Sequence, residues 1–126
     1  MRNQMKSILA TLAICCLSAS ALADSVAEVF TCKLHEGKTM EDAKAVNKVW
    51  LAFMRANVAE SITSTAATAV VGDSDTFMYV DTYPDLETWA KGKAARETDE
   101  GAAVEGAFDA VLKCPSNRLW KLQRAE

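Results

Sequence analysis

Apolar and polar positions alternate with a period of two along VAEVFTCKLH, residues 26–35. This places Phe30, Cys32 and Leu34 on one face of a strand and Val29 and Thr31 on the other. After a turn at Glu36-Gly37-Lys38 the period changes. Met40, Ala43, Val46, Trp50, Phe53, Met54 and Val58 recur at three- and four-residue spacing and form one broad helical stripe. Thr39 stands where an N-cap belongs, with Glu41 and Asp42 in the first turn, where carboxylates suit the helix dipole. Lys44, Lys48 and Arg55 fall off the stripe and are expected in solvent. Residues 62–71 (ITSTAATAVV) read as a second strand on their Thr, Val and Ile content, diluted by Ala and Ser. A turn at Gly72-Asp73-Ser74-Asp75 leads into a third strand, TFMYVDTY, with Phe77, Tyr79, Asp81 and Tyr83 on one face and Met78 and Val80 on the other. Pro84 cannot donate to a ladder and ends it. Asp85 then caps a short helix running through Trp89 to Ala95. The run from Arg96 to Glu100 reads as a solvated break, after which Val104, Phe108, Val111 and Leu112 mark a second helical segment. Pro115 is expected to stop that segment, and RLWKLQ, residues 118–123, to form the last strand.

The order β-α-β-β-α-β is the split βαβ pattern of a ferredoxin-like α+β fold. Right-handed crossovers place the strands in the order four-one-three-two, all antiparallel, with the helices on one face. Phe30, Leu34, Phe77, Met78, Tyr79 and Val80 cannot all point at those helices. The second sheet face is therefore apolar, and contiguous exposed apolar patches are rare on monomers. A second copy of the chain, packed sheet to sheet, is the expected cover.

The first 23 residues stand outside this pattern. Arg2 and Lys6 give a basic start, residues 8–17 an apolar core, and Ala21-Leu22-Ala23 a small-x-small cleavage site. That is the layout of a secretory signal peptide, with an apolar run well short of the ~20 residues that span a bilayer. The rival readings are an uncleaved anchor and a lipoprotein, since Cys15 and Cys16 lie in the run. Ile14, however, is not the small residue a lipoprotein signal needs. Cleavage after Ala23 leaves 126 − 23 = 103 residues, one domain exported to the periplasm or beyond. It also removes two of 14 basic residues and no acidic one, so 12 face 17 and the net charge is −5. An acidic domain without a basic tract is a poor binder of nucleic acid or of an anionic membrane surface.

Of four cysteines, Cys32 and Cys114 remain in the exported chain. They read as a disulfide, because antiparallel strands one and four bring the two positions together in an oxidising compartment. Two separate buried thiols are the alternative. No metal is expected: His35 is the only imidazole and there is no Cys-x-x-Cys.

The element order, the short domain and the strand FMYVDTYP running into DLETW resemble the dimeric α+β-barrel superfamily. That group includes small antibiotic-biosynthesis-monooxygenase-like, NIPSNAP-like and EthD-like domains. Its members often carry an acidic residue two positions before an aromatic at the end of strand three, then a helix with an early Trp or Leu. Asp81, Tyr83 and Trp89 match that pattern. The resemblance implies two sheets packed face to face across a two-fold axis as a homodimer. Some barrels of this group hold haem through a His on the second long helix. His35 lies on the wrong element for that, so no haem and no other cofactor is expected.

Tyr79, Asp81 and Tyr83 share a strand face. They can line a pocket in which the carboxylate orients a phenolic or quinone-like ligand, or removes a proton once burial raises its pKa. Equally, Asp81 can be a structural residue at the edge of the core, with the tyrosines packed beside it. Asn47, beside the helix-one stripe, and Trp50 are candidate pocket residues, and His35 is the obvious base near neutral pH. Trp50, Trp89 and Trp120 read first as core. No Ser-His-Asp set, phosphate loop or paired His-Glu motif is present. Two functions follow. One is a non-catalytic exported module that binds a small apolar or aromatic molecule. The other is a cofactor-independent monooxygenase or isomerase acting on an aromatic or polyketide-like substrate.

Overall fold

The structure is a computed structural model and describes residues 24–125; the leader read from residues 1–23 lies outside the described residues. The elements are β1 (Val26–Leu34), α1 (Met40–Asn57), β2 (Thr63–Thr68), β3 (Phe77–Tyr83), α2 (Leu86–Arg96), α3 (Asp99–Asp109) and β4 (Leu112–Lys121). One antiparallel sheet runs in the order β2-β3-β1-β4, the expected order, with the helices against one face.

Helix α1 starts where the sequence placed it. Thr39 Oγ1 accepts from the Asp42 amide at 3.3 Å, and Asp42 Oδ2 accepts from the Thr39 amide at 2.8 Å, a reciprocal capping box. Its stripe buries Ala43, Trp50, Phe53 and Met54. Arg55 is exposed, as expected, and also donates from Nε to the Ile62 carbonyl at 2.9 Å, closing the loop into β2. Asp85 caps α2 by accepting from the Thr88 amide at 2.6 Å.

The break after α2 is solvated from Glu97 to Glu100, as expected, and only Arg96 departs from that reading. Thr98 caps α3 through the Gly101 amide at 3.1 Å, and a Cβ on Gly101 would run into the backbone of Ala95 and Arg96. Glycine there lets α3 begin pressed against the end of α2. That turn carries Arg96 inward, where its side chain is 13% exposed and pairs with Glu28 of β1.

Pro115 also behaves differently. The helical segment ends at Asp109, so Val111 and Leu112 lie beyond it, and β4 already begins at Leu112 and runs through the proline. Thr31 pairs with Ser116 and Lys33 with Lys113, so Cys32 alone faces both Cys114 and Pro115. This is a β-bulge on an edge strand, the one sheet position that tolerates a proline. The extra residue reverses the facing of everything after it. Cys114 in the bulge and Asn117 after it both turn to the helix layer, while Trp120 turns to the open face, 49% exposed, rather than into the core. Cys32 and Cys114 are disulfide-bonded at the bulge, with Cα atoms 3.9 Å apart and 82 residues between them in sequence.

Register separates the apolar residues that could not share one face. Val26 pairs with Tyr83, Glu28 with Asp81, Phe30 with Tyr79 and Cys32 with Phe77, and these residues face the helices. Ala27, Val29 and Thr31 pair with Thr82, Val80 and Met78 on the open side, which Ala67 and Trp120 extend.

Candidate functional site

A cavity of about 230 Å³ lies between the sheet and helices α1 and α3. Its aromatic wall is Phe30 from β1, Trp50 from α1, Tyr79 from β3 and Phe108 from α3. Tyr79 meets Phe108 edge to face, with ring centres 5.9 Å apart. The polar wall is Asn47, Asp81, Arg96, Glu105 and Asp109.

Two carboxylates enter this region from adjacent strands, and their treatment is opposite. Glu28 and Asp81 are register partners, each 4% exposed. Glu28 is fully engaged: Asn117 Nδ2 donates to it at 2.8 Å, Trp89 Nε1 at 3.0 Å and Arg96 Nη2 at 3.3 Å. Asp81 has one partner among the described residues, Ser64 Oγ, which donates to Oδ1 at 2.5 Å. Asn47 Nδ2 in turn donates to Ser64 Oγ at 2.9 Å and holds that hydroxyl in place. A buried charge with so little compensation is expensive. Burial therefore pushes the Asp81 carboxyl up to about 7; the Ser64 hydrogen bond and the Arg96 charge pull it down, and the Glu28 and Glu105 charges add to the rise. Near neutral pH this group exists in both protonation states, the condition a general base or acid needs.

The arginine that could have neutralised Asp81 is committed elsewhere. Arg96 pairs with Glu28 and reaches Glu105 at 3.8 Å, and Glu105 accepts from Trp50 Nε1 at 2.9 Å. Burial, then the Asp81 charge, pushes the Tyr79 hydroxyl up to about 12. It donates to the Ala43 carbonyl at 2.8 Å and stays protonated.

Of the residues singled out from sequence, the structure brings Asn47, Trp50, Tyr79 and Asp81 to one cavity. Tyr83 shares their strand face but is sealed into the core against Met54 and Phe53, off the cavity lining, and burial raises its hydroxyl. His35 stands exposed after β1 with Nε2 2.8 Å from the Asp109 carbonyl, also outside the lining. Sequence reasoning missed Ser64, Glu28, Arg96, Glu105 and Asn117. Glu28 had a signal, since it lies two residues before Phe30 in the inward register of β1. Ser64 becomes visible only once β2 and β3 are in register, and Arg96 only once the helix breaks.

No protein-family profile matches the chain, and no curated protein matches it in sequence. Solved structures do. SnoaB, a cofactor-independent oxygenase from Streptomyces nogalater, superposes with a TM-score of 0.58 at 14% identity, covering 82% of this chain and 97% of its own. An uncharacterised NIPSNAP-like domain protein from Burkholderia xenovorans gives 0.58 at 16% identity, covering 81% and 87%. A Caulobacter crescentus protein named for antibiotic biosynthesis monooxygenases gives 0.56 at 17% identity, covering 83% and 93%. The chain has the ferredoxin-like α+β fold of these proteins. In this ferredoxin-like sheet the cavity and the open apolar face lie on opposite sides, so covering the open face would leave the cavity accessible.

Proposed function

We propose that the cavity binds a small aromatic molecule and that Asp81 takes a weakly acidic proton from it, the chemistry of a cofactor-independent oxygenase or isomerase. The observation that carries this reading is Asp81 itself: 4% exposed, lining an aromatic-walled cavity, and held near neutrality by burial. The volume of about 230 Å³ falls below the ~300–1,000 Å³ of drug-sized sites, which suits a ligand of about one or two rings. The likeness to SnoaB in fold is compatible with such chemistry and does not fix it. Binding without catalysis is the second reading. It is favoured by the lack of an imidazole among the cavity residues, since His35 lies off the cavity, and by Tyr79 being tied to the Ala43 carbonyl.

2-Tetralone, a two-ring ketone with acidic C–H bonds beside its carbonyl, separates the readings. The expected result is a saturable NMR shift of the Trp50 indole N–H, with faster exchange of those protons in heavy water. A shift without faster exchange would leave a binding module, and no shift would remove the site.

We also propose that the chain is exported without its first 23 residues and pairs as a homodimer through the open sheet face. The Cys32–Cys114 bridge supports an oxidising compartment. Met78, 41% exposed, and Trp120, 49% exposed, stand on a face that also carries Ala27, Val29, Ala67 and Val80. An isologous sheet-to-sheet contact covers such a face with itself. Native mass spectrometry of protein exported from cells should show chains starting at Asp24 at twice the chain mass, and Trp120→Glu should halve it. A wild-type monomer would leave the open face without its proposed cover, and a chain that keeps residues 1–23 would overturn the cleavage.

A further inference from the structure

The charges around the cavity are unbalanced in one direction. Asp81, Glu105 and Asp109 line it against a single guanidinium, Arg96. That guanidinium is spoken for, because Glu28 behind the wall accepts from it and Glu105 stands 3.8 Å from its other amino group. Within the cavity itself no cation is therefore left to receive an acidic ligand; the adjoining groove adds Lys93, outnumbered there by Glu28, Glu97, Glu105 and Asp109. Glu105 and Asp109 project from α3 one turn apart, and both also line the open groove that adjoins the cavity and shares Phe30 and Arg96 with it. They mark the mouth. Asp109 is exposed, and its carboxylate makes no hydrogen bond or ion pair among the described residues. Asp81, at the inner end, is the buried carboxylate with only Ser64 as its partner.

We propose that the ligand of this cavity is an aromatic amine, with its cationic nitrogen held at the mouth by Glu105 and Asp109 and its ring among Phe30, Trp50, Tyr79 and Phe108. This rests on the cavity being the ligand site and adds to it the class of molecule admitted. Carboxylates at the mouth attract a cation and oppose an anion, and aromatic faces beside the path favour the same sign of charge. A ring hydroxyl at the far end of such a molecule would meet Asp81. The amine thus selects and orients while Asp81 works on the other end. Charged groups at a half-open site discriminate mainly against the wrong sign, since like charges brought together out of water are costly.

Three probes of one shape and different charge test this: tyramine, tyrosol and 4-hydroxyphenylacetate, each titrated against the disulfide-bonded protein at low salt. Binding is read as a shift of the Trp50 indole N–H, with the Trp120 indole as the control outside the cavity. Tyramine should bind about tenfold or more tighter than tyrosol, and 4-hydroxyphenylacetate should bind weakest. Glu105→Gln combined with Asp109→Asn should bring the ratio of tyramine to tyrosol affinity, both measured on the same variant, to about one. Equal affinities for tyramine and tyrosol at Trp50 would overturn the charge selection and keep the cavity as a ligand site. So would tighter binding of the acid. Shifts confined to Trp120, or none for any probe, would overturn the site and this inference together.

Discussion

Replacing both half-cystines, Cys32→Ala with Cys114→Ala, is expected to lower the stability of the domain by about 4–5 kcal/mol. The bridge closes a loop spanning 82 positions, and the chain-entropy value for a loop of that length is about 4.5 kcal/mol. Domains of this size have total stabilities of about 5–15 kcal/mol. The loss should therefore move the melting temperature by roughly 20–30 °C. Location adds to the loop term. Cys32 is fully buried in the cluster that contains Ala43, Phe77, Tyr79 and Leu112, and Cys114 lines the cavity. The bond thus fixes the edge strand β4 to the sheet at the bulge where its own pairing is interrupted. Calorimetry of the double variant beside the oxidised wild type measures the effect. A loss under about 1 kcal/mol would mean that β1–β4 pairing alone holds this edge and that the loop constraint is small.

The sequence carried most of this architecture because its signals were local and agreed with one another. The stripe from Met40 to Val58, the caps at Thr39 and Asp85, and the alternation in β1 and β3 each follow from residues a few positions apart. Together they left one strand order, and the cysteine pair, read from different residues, fitted it. The same resemblance that named antibiotic-biosynthesis-monooxygenase-like and NIPSNAP-like domains led to the fold that is found. What stayed hidden depended on contacts distant in sequence. Pro115 looked like a terminator because a lone proline carries no sign of the bulge that accommodates it. The bulge in turn decides that Asn117 faces Glu28 and that Trp120 does not enter the core. Arg96 sat in a run of five charged or polar residues and looked solvated, yet a carboxylate 68 positions earlier draws it inward. For the candidate site, strand alternation placed Tyr79 and Asp81 on one face, and the helix stripe placed Asn47 and Trp50 beside them. Tyr83 has the same alternation, but it lies one pair further along the strand, where α1 packs down and the cavity has closed.

Asp81→Asn is expected to make the protein more stable above neutral pH and less able to handle its ligand. The carboxyl has its ordinary value of 3.8 in the unfolded chain and is pushed to about 7 in the fold, first by burial. Between those values the folded chain holds a proton that the unfolded chain has released. Stability therefore falls as pH rises through this window, and the full penalty is present once pH exceeds the folded value. A gap of this size corresponds to at most about 4 kcal/mol. Asparagine keeps the size of the side chain and an oxygen for Ser64 to donate to, and it has no charge to bury. At pH 8 the variant should be about 2–4 kcal/mol more stable than wild type, with the difference shrinking to under about 1 kcal/mol at pH 4. Denaturant unfolding at the two pH values gives both numbers. The same substitution should abolish the added exchange of 2-tetralone protons and weaken binding of a phenolic probe about ten- to a hundredfold, the loss of a charged hydrogen bond. Stability gained and function lost at one residue is the mark of a group kept for its chemistry at the expense of the fold. A residue that only braced β2 against β3 through Ser64 would behave in the opposite way. Its amide variant would be less stable at both pH values and would leave binding and exchange untouched, and that pattern would make Asp81 a structural carboxylate.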